Sequence, residues 1–288
     1  MTFHDKNTTT ALMLDWSTPT VMGILNTTPD SFYDGGRYSG VNEALARVER
    51  MLAEGAGIID VGGASSRPGA DTVPEQAETM RVVPVVEAIH RRFPEVLISV
   101  DTWRAGVAAA AVEAGARMVN DISAGAFDPA LYPTLAELNR QASIYYVLMH
   151  MQGTPATMQL NPQYDDVVTE VLDFFLIKLH ELRQLGLHDV VLDPGFGFGK
   201  TVEHNFTLLR QLFDFHIATG RPVLAGISRK SMICKVLGVK PEEALNGTTA
   251  LHMVALQHGA RILRAHDVKE AVETVKLWRV LGHGYSSR

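Results

Sequence analysis

Short apolar runs recur along the chain, and each ends in a polar residue able to meet a ligand. Val21 to Asn26, Ile58 to Gly62, Val96 to Asp101, Arg117 to Asp121, Ile144 to His150, Val190 to Asp193, Pro222 to Ser228 and Ala260 to His266 read as buried strands. The segments between them carry apolar residues at helical spacing. Val41, Ala44, Leu45, Val48, Met51 and Leu52 form one stripe, and Val168, Val171, Leu172, Phe175, Leu179 and Leu182 form another. Pro129 and Pro241 stand where helices would begin, while Gly55, Gly115, Gly186 and Gly259 stand just past where helices would end. Eight strands alternating with about eight helices predict an α/β fold, a single-domain (β/α)8 TIM barrel over residues 19–282. Residues 1–18 and 283–288 are then an N-terminal and a C-terminal tail. An open, doubly wound sheet is the alternative.

A length of 288 residues suits one such barrel, and 46% hydrophobic with 20% charged residues suits a globular protein with a large core. The net charge of -6, with no basic block, argues against a nucleic-acid partner. Cys234 is the only cysteine, so no intrachain disulfide can form and no paired-cysteine metal site exists. A reducing cytoplasm fits that usage. Met1 to Thr10 is polar, unlike a signal peptide, and no run approaches the ~18 apolar residues of a membrane span, so no membrane is expected as a partner.

A barrel collects its ligand-facing residues at the carboxyl ends of its strands. Those ends are Asn26, Asp60, Asp101, Asn120 with Asp121, His150, Asp193, Ser228 with Arg229 and Lys230, and Arg264 with His266. A buried carboxylate takes two parallel hydrogen bonds from a flat, amidine-like edge, and an Asn offers a donor and an acceptor, which together suit a pterin or a purine. Arg264, His266 and Asn26 suit an anion accompanied by Mg²⁺. Asp193 opens a glycine-rich loop, Gly195-Phe-Gly-Phe-Gly-Lys200, whose spacing matches neither the dinucleotide nor the nucleotide-phosphate fingerprint. Asp60 and Asp121 are each also readable as braces of a loop at the barrel mouth, and for Asp121 that reading is the favoured one. His150 is as easily a packed strand-end residue as a ligand contact, and Cys234 reads as a small core residue.

Gly23 to Gly36, Asp60 to Gly69, Ser99 to Thr102, Asn120 to Ile122, Met149 to Pro155, Asp193 to Gly197, Ser228 to Ser231 and Arg264 to Asp267 follow, in order and spacing, the motifs of the dihydropteroate synthase family, which the chain resembles from about residue 20 to about residue 280. The resemblance implies a transferase of folate synthesis that joins 6-hydroxymethyl-7,8-dihydropterin diphosphate to 4-aminobenzoate and releases diphosphate. It implies catalytic roles for Asp101, Lys230, Arg264 and His266. Asp101, Asn120, Asp193, Phe196, Gly226 and Lys230 would meet the pterin. Ser66, Arg67, Pro68, Phe196 and Ser231 would meet the aminobenzoate. Asn26, Arg264 and His266 would meet the diphosphate, with Asn26 also on the Mg²⁺ cofactor. The family is usually dimeric, so a homodimer is expected, with the helix after the seventh or eighth strand as its interface. Two positions depart from the family pattern: Ala64 where Glu is frequent, and Ser66 where Thr is frequent, both on the aminobenzoate side. Phe32 and Tyr33 are expected as a lid over the pterin, beside Gly35 and Gly36. A corrinoid-type pterin methyltransferase and a pterin-binding paralogue without turnover are the alternatives.

Overall fold

The computed structural model describes residues 14–27, 37–64 and 73–283, and in it eight parallel strands close into a barrel in chain order. The strands are β1 (Thr20–Asn26), β2 (Ile58–Gly62), β3 (Leu97–Asp101), β4 (Met118–Asp121), β5 (Tyr145–Met149), β6 (Val190–Asp193), β7 (Val223–Ala225) and β8 (Ala260–Ala265). Every expected strand is present. β7 is shorter than expected, since the chain leaves the sheet at Gly226, and its pairing with β8 carries a register shift between Val223 and Leu224.

Ten α-helices occur among the described residues, where about eight were expected. They are α1 (Arg37–Glu54), α2 (Glu75–Arg92), α3 (Ala105–Glu113), α4 (Leu131–Gln141), α5 (Val167–Gln184), α6 (Val202–Arg210), α7 (Leu212–Thr219), α8 (Ser231–Leu237), α9 (Leu245–Gln257) and α10 (Val268–His283). The two additional helices arise where a single connection breaks. Gln211, at φ -109, leaves helical geometry between α6 and α7. Gly238, at φ +68, ends α8, and Pro241 then opens a short 3-10 turn before α9. The two predicted stripes do bind α1 and α5 to the barrel: Ala44, Val48 and Met51 are buried from one, and Val168, Val171, Phe175 and Leu182 from the other.

The two-residue period of the strands sorts their side chains into two sets. Outward residues such as Val21, Ile59, Ile98, Val119, Tyr146 and Leu263 pack against the helices in one large core. Inward residues form a separate plug from all eight strands: Met22, Ile58, Leu97, Met118, Tyr145, Val147, Val191, Leu224 and Ile262. Each such buried side chain contributes about 2 kcal/mol to folding. Leu14 and Trp16 close this plug from below, with Trp16 edge-on to Tyr145 at 5.8 Å and the Leu14 amide donating to the Tyr145 hydroxyl at 2.9 Å. The expected tail at 1–18 therefore runs too far. Residues 14–18 belong to the barrel floor, because an indole and a leucine cover apolar surface that the amino ends of the strands would otherwise expose to water.

Candidate active site

Two residues above the plug, the same inward parity turns polar. Asp60 follows Ile58, Asn120 follows Met118, Asp193 follows Val191 and Arg264 follows Ile262. Register aligns Asn26, Gly62, Asp101 and Asn120 across β1 to β4, so the carboxyl ends of four strands stand abreast. Arg264 bridges the layer: its Nε donates to Asp60 Oδ2 at 2.7 Å and its Nη2 to Asp101 Oδ2 at 2.6 Å. Burial opposes the Arg264 charge, but the two carboxylates outweigh it and hold its pKa above the usual value. Burial pushes the Asp101 carboxyl up to about 7, with Arg264 opposing and Asp60 reinforcing the shift. Asn120 Nδ2 donates to the same Asp60 Oδ2 at 3.1 Å. Asp193 Oδ1 accepts from the Gly195 amide at 2.8 Å, while its Oδ2 takes no hydrogen bond from any described residue. A side chain at Gly226 would begin only 3.6 Å from that oxygen, so glycine there keeps it open.

The loop after β6 is held by Lys200, which is buried and donates to the carbonyl oxygens of His150, Gly195 and Phe198 at 3.3, 3.2 and 3.0 Å. It also meets His150 Nδ1 at 3.0 Å. Burial brings the Lys200 pKa down to about 7 and drives that of His150 well below the ordinary histidine range. Lys200 is a clamp within the loop, and His150 packs against Tyr164 and Phe174 behind it. Phe196 was expected against both substrates. At 1% exposure it packs in the core between barrel and helices. Phe198 takes the mouth position: Lys230 Nζ stands 4.1 Å from its ring centroid, and it packs with Ile122, Met149 and Met158. Burial lowers the Lys230 pKa to about 8, Arg264 lowers it further, and Asp193 and Asp101 oppose them.

Lys230 caps α8, and Ser231 stands exposed as its first residue. Arg229, at φ +55, reaches across to Asp267 with two hydrogen bonds of 2.9 and 2.6 Å, which ties the loop after β7 to that after β8. Ser228 Oγ meets His266 Nδ1 at 3.0 Å and accepts from the His266 amide at 3.2 Å. Burial, reinforced by Arg264, lowers the His266 pKa to about 4, so the ring is neutral near pH 7. Asp121 is the brace it was expected to be. Its oxygens accept from the Ser123 amide and hydroxyl, the Gly125 amide and the Tyr146 hydroxyl, all at 2.7 to 2.8 Å.

A polar ring of this kind has known counterparts. Residues 22–266 match the family model described as "Pterin binding enzyme". The dihydropteroate synthase of Escherichia coli K12 is 47% identical over 266 residues, covering 92% of each chain. The chain belongs to the pterin-binding enzyme family. A second such relative, the dihydropteroate synthase of Haemophilus influenzae, is 46% identical over 268 residues, covering 92% of this chain and 95% of its own. The Yersinia pestis dihydropteroate synthase, solved with a sulfonamide drug complex, superposes with a TM-score of 0.86 at 44% identity, over 93% of this chain and 96% of its own. The Xanthomonas albilineans dihydropteroate synthase, solved with 7,8-dihydropteroate, gives 0.82 at 38%, over 94% and 96%.

Of the residues expected in this pterin-binding site, Asn26, Asp101, Asn120, Asp193, Gly226, Lys230, Arg264 and His266 all lie at the carboxyl ends of the strands or in the loops just beyond them. Ser66, Arg67 and Pro68 lie outside the described residues, as do Phe32 and Tyr33. Ala64, at the edge of that segment, is half-buried. Among the described residues no cluster of His, Cys, Asp and Glu could cage a metal ion by itself. Asn26 is exposed at the end of β1, and its Oδ1 lies 3.9 Å from where a Gly62 side chain would begin. One amide oxygen beside an open space suits Mg²⁺, which keeps waters and takes its other ligands from substrate phosphates. Phe198 and the tie between Asp60, Arg264 and Asn120 were missed from sequence. The inward parity that runs from Ile58 to Asp60 and from Met118 to Asn120 was the available signal for the tie.

Proposed function

We infer that the protein is a dihydropteroate synthase, a transferase that joins 6-hydroxymethyl-7,8-dihydropterin diphosphate to 4-aminobenzoate, giving 7,8-dihydropteroate and diphosphate. The observation that carries this is the inward layer of Asp60, Asn120, Asp193 and Arg264 above an apolar plug, in a chain 47% identical to a named synthase. Asp193 Oδ2 and Asn120 Oδ1 accept from N–H groups on the pterin edge, and Lys230 donates to the ring from beside Phe198. Asn26 would hold Mg²⁺ through its side-chain oxygen, and the ion would supply neutralisation of charge on the diphosphate leaving group. Arg264 donates to the diphosphate. His266 does so through Nε2, with its Nδ1 held against the Ser228 hydroxyl at 3.0 Å.

The substitution is dissociative. The bond between the pterin methylene carbon and the diphosphate oxygen breaks, its electron pair leaving with the oxygen. Asp101 stabilises the resulting pterin cation by its charge. The aminobenzoate nitrogen then forms the new carbon–nitrogen bond with its lone pair and gives up one proton to water or to the departing diphosphate. Ser66, Arg67, Pro68 and Ser231 hold the aminobenzoate. No helix among the described residues is long and apolar enough to cross a membrane, and we place the protein in the cytoplasm, in keeping with its single unpaired Cys234. It works as a homodimer, and the exposed apolar residues Val236 and Leu237 on α8 and Leu277 and Leu281 on α10, at 51 to 70% exposure, are what support a second copy on one of these helices.

The test is diphosphate release from purified protein with Mg²⁺ and the pterin diphosphate, with and without 4-aminobenzoate. Release that requires aminobenzoate supports the reading. Pterin binding without release would leave a non-catalytic paralogue, and methyl transfer from a methylated folate would select the methyltransferase.

A further inference from the structure

Asp60 is fully buried on β2 and receives both Arg264 Nε and Asn120 Nδ2 on one oxygen, Oδ2. Its other oxygen, Oδ1, is buried with no partner among the described residues, so the whole connection runs through a single atom. A carboxylate bound to a guanidinium only accepts hydrogen bonds, so the Asn120 amide must turn its NH₂ toward Asp60. Its carbonyl oxygen then points away from Asp60 and takes no hydrogen bond from any described residue. Without Asp60, an amide at that position is free to present either end, and the site loses its preference between a donor and an acceptor on the ligand.

We propose that Asp60 is a positioning residue that holds the Asn120 amide with its oxygen toward the mouth and Arg264 level with it, so that the site selects a heterocycle offering an N–H at that place. The proposal rests on the dihydropteroate synthase reading and adds to it the origin of its pterin selectivity. Asp60 touches neither substrate. It couples the residue that reads the ring to the residue that holds the leaving group, across strands that are 60 and 204 positions away in sequence.

Two isosteric replacements separate positioning from bulk. In Asp60→Asn the amide oxygen takes the place of Oδ2 and accepts from both partners, while the NH₂ replaces an oxygen that had no partner to lose. Affinity for 6-hydroxymethyl-7,8-dihydropterin, measured by calorimetry, should stay within about threefold of the unaltered protein. Asp60→Leu keeps the shape and removes the acceptor. Pterin affinity should fall at least about tenfold, with the KM for 4-aminobenzoate changed by less than about twofold. Equal affinity in the two variants, or an equal loss toward both substrates, overturns the proposal.

Should Asp60→Leu fail to fold, Asn120→Asp decides. Its protonated carboxyl donates to Asp60 Oδ2 as the amide does, whereas its ionised form sets two carboxylates against each other. Pterin affinity, taken as a ratio to the unaltered protein at the same pH, should rise at least about tenfold from pH 8 to pH 5. Arg264 on β8, Asp101 on β3, Asp193 on β6 and Lys230 beyond β7 face the same space in both proteins, so the ratio divides out the titration they share, while Asp121 on β4 is turned away to the Ser123 and Gly125 amides and the Tyr146 hydroxyl. A ratio flat with pH overturns the proposal. Failure of the synthase reading looks different: the unaltered protein then binds pterin yet releases no diphosphate when aminobenzoate is added.

Discussion

Asp101→Asn should make the protein more stable and the enzyme far slower. The change removes one negative charge at nearly constant shape. A carboxylate about 4 Å from a developing cation, at an effective dielectric constant of about 20, contributes about 4 kcal/mol. Loss of that interaction lowers kcat about a thousandfold, less whatever the amide dipole of the new Asn restores. The stability effect has the opposite sign. Burial raises the folded-state pKa of Asp101 from 3.8 to about 7, against the pull of Arg264, so the folded protein holds this proton more tightly than the unfolded chain. The contribution of Asp101 to stability is therefore full below pH ~4, falls as pH rises toward ~7, and stays at its minimum above that. At pH 8 the variant escapes this penalty, and its melting temperature should exceed that of the unaltered protein. Diphosphate release with both substrates saturating, across pH 5 to 9, reads the catalytic side. The unaltered enzyme should gain activity with unit slope up to about pH 7 as Asp101 ionises, and the variant should lack that limb. A kcat within about threefold of the unaltered enzyme, or a lower melting temperature at pH 8, would refute the reasoning.

Three further outcomes follow from other parts of the molecule. Lys200→Met leaves the carbonyl oxygens of His150, Gly195 and Phe198 without their donor and should cost about 2 kcal/mol or more, read as a shift of the urea midpoint. Gly195→Ala places a methyl carbon 1.9 Å from the His150 carbonyl oxygen at φ +71, and should yield little folded protein; a melting temperature within a few degrees of normal would contradict the close approach. Chelation of Mg²⁺ with EDTA should abolish diphosphate release while leaving the melting temperature unchanged, because no described side-chain cluster folds around a metal; unfolding on chelation would point to a structural ion.

The barrel and most of its mouth were legible because two periodicities survive in one dimension. Strand parity carries Ile58 to Asp60 and Ile262 to Arg264, so a reader of alternate residues meets the apolar plug and then the polar ring. That parity fails once the chain leaves the sheet. In Gly195-Phe-Gly-Phe-Gly199 every glycine has positive φ, so nothing along the sequence tells that Phe196 turns into the core and Phe198 toward Lys230. Trp16 lies in a segment too short to carry a period, and its role depends on Tyr145, far along the chain. The partners of Asp60 stand on β4 and β8, and pairing at such separations leaves no local trace.

The seam between the loops after β5 and β6 has a consequence for how this protein can be recombined. Hypothetical side chains at Gly195 and Gly199 would strike the backbone oxygens of His150 and Gln152, at 1.9 and 2.3 Å, so the two loops touch main chain to main chain. The side chains that cross the seam, Lys200 to the His150 oxygen, Gln159 to the Gly197 oxygen and Tyr164 to the Gly199 oxygen, also bind main chain, so they fix the boundary rather than absorb a misfit. A chimera that imports the loop after β6 from a relative without also importing the loop after β5 has no way to repack that boundary, whereas the two transferred together carry their boundary with them. Neighbouring strands five and six are thus a single module of inheritance, and crossovers between relatives should survive on either side of the pair far more often than within it.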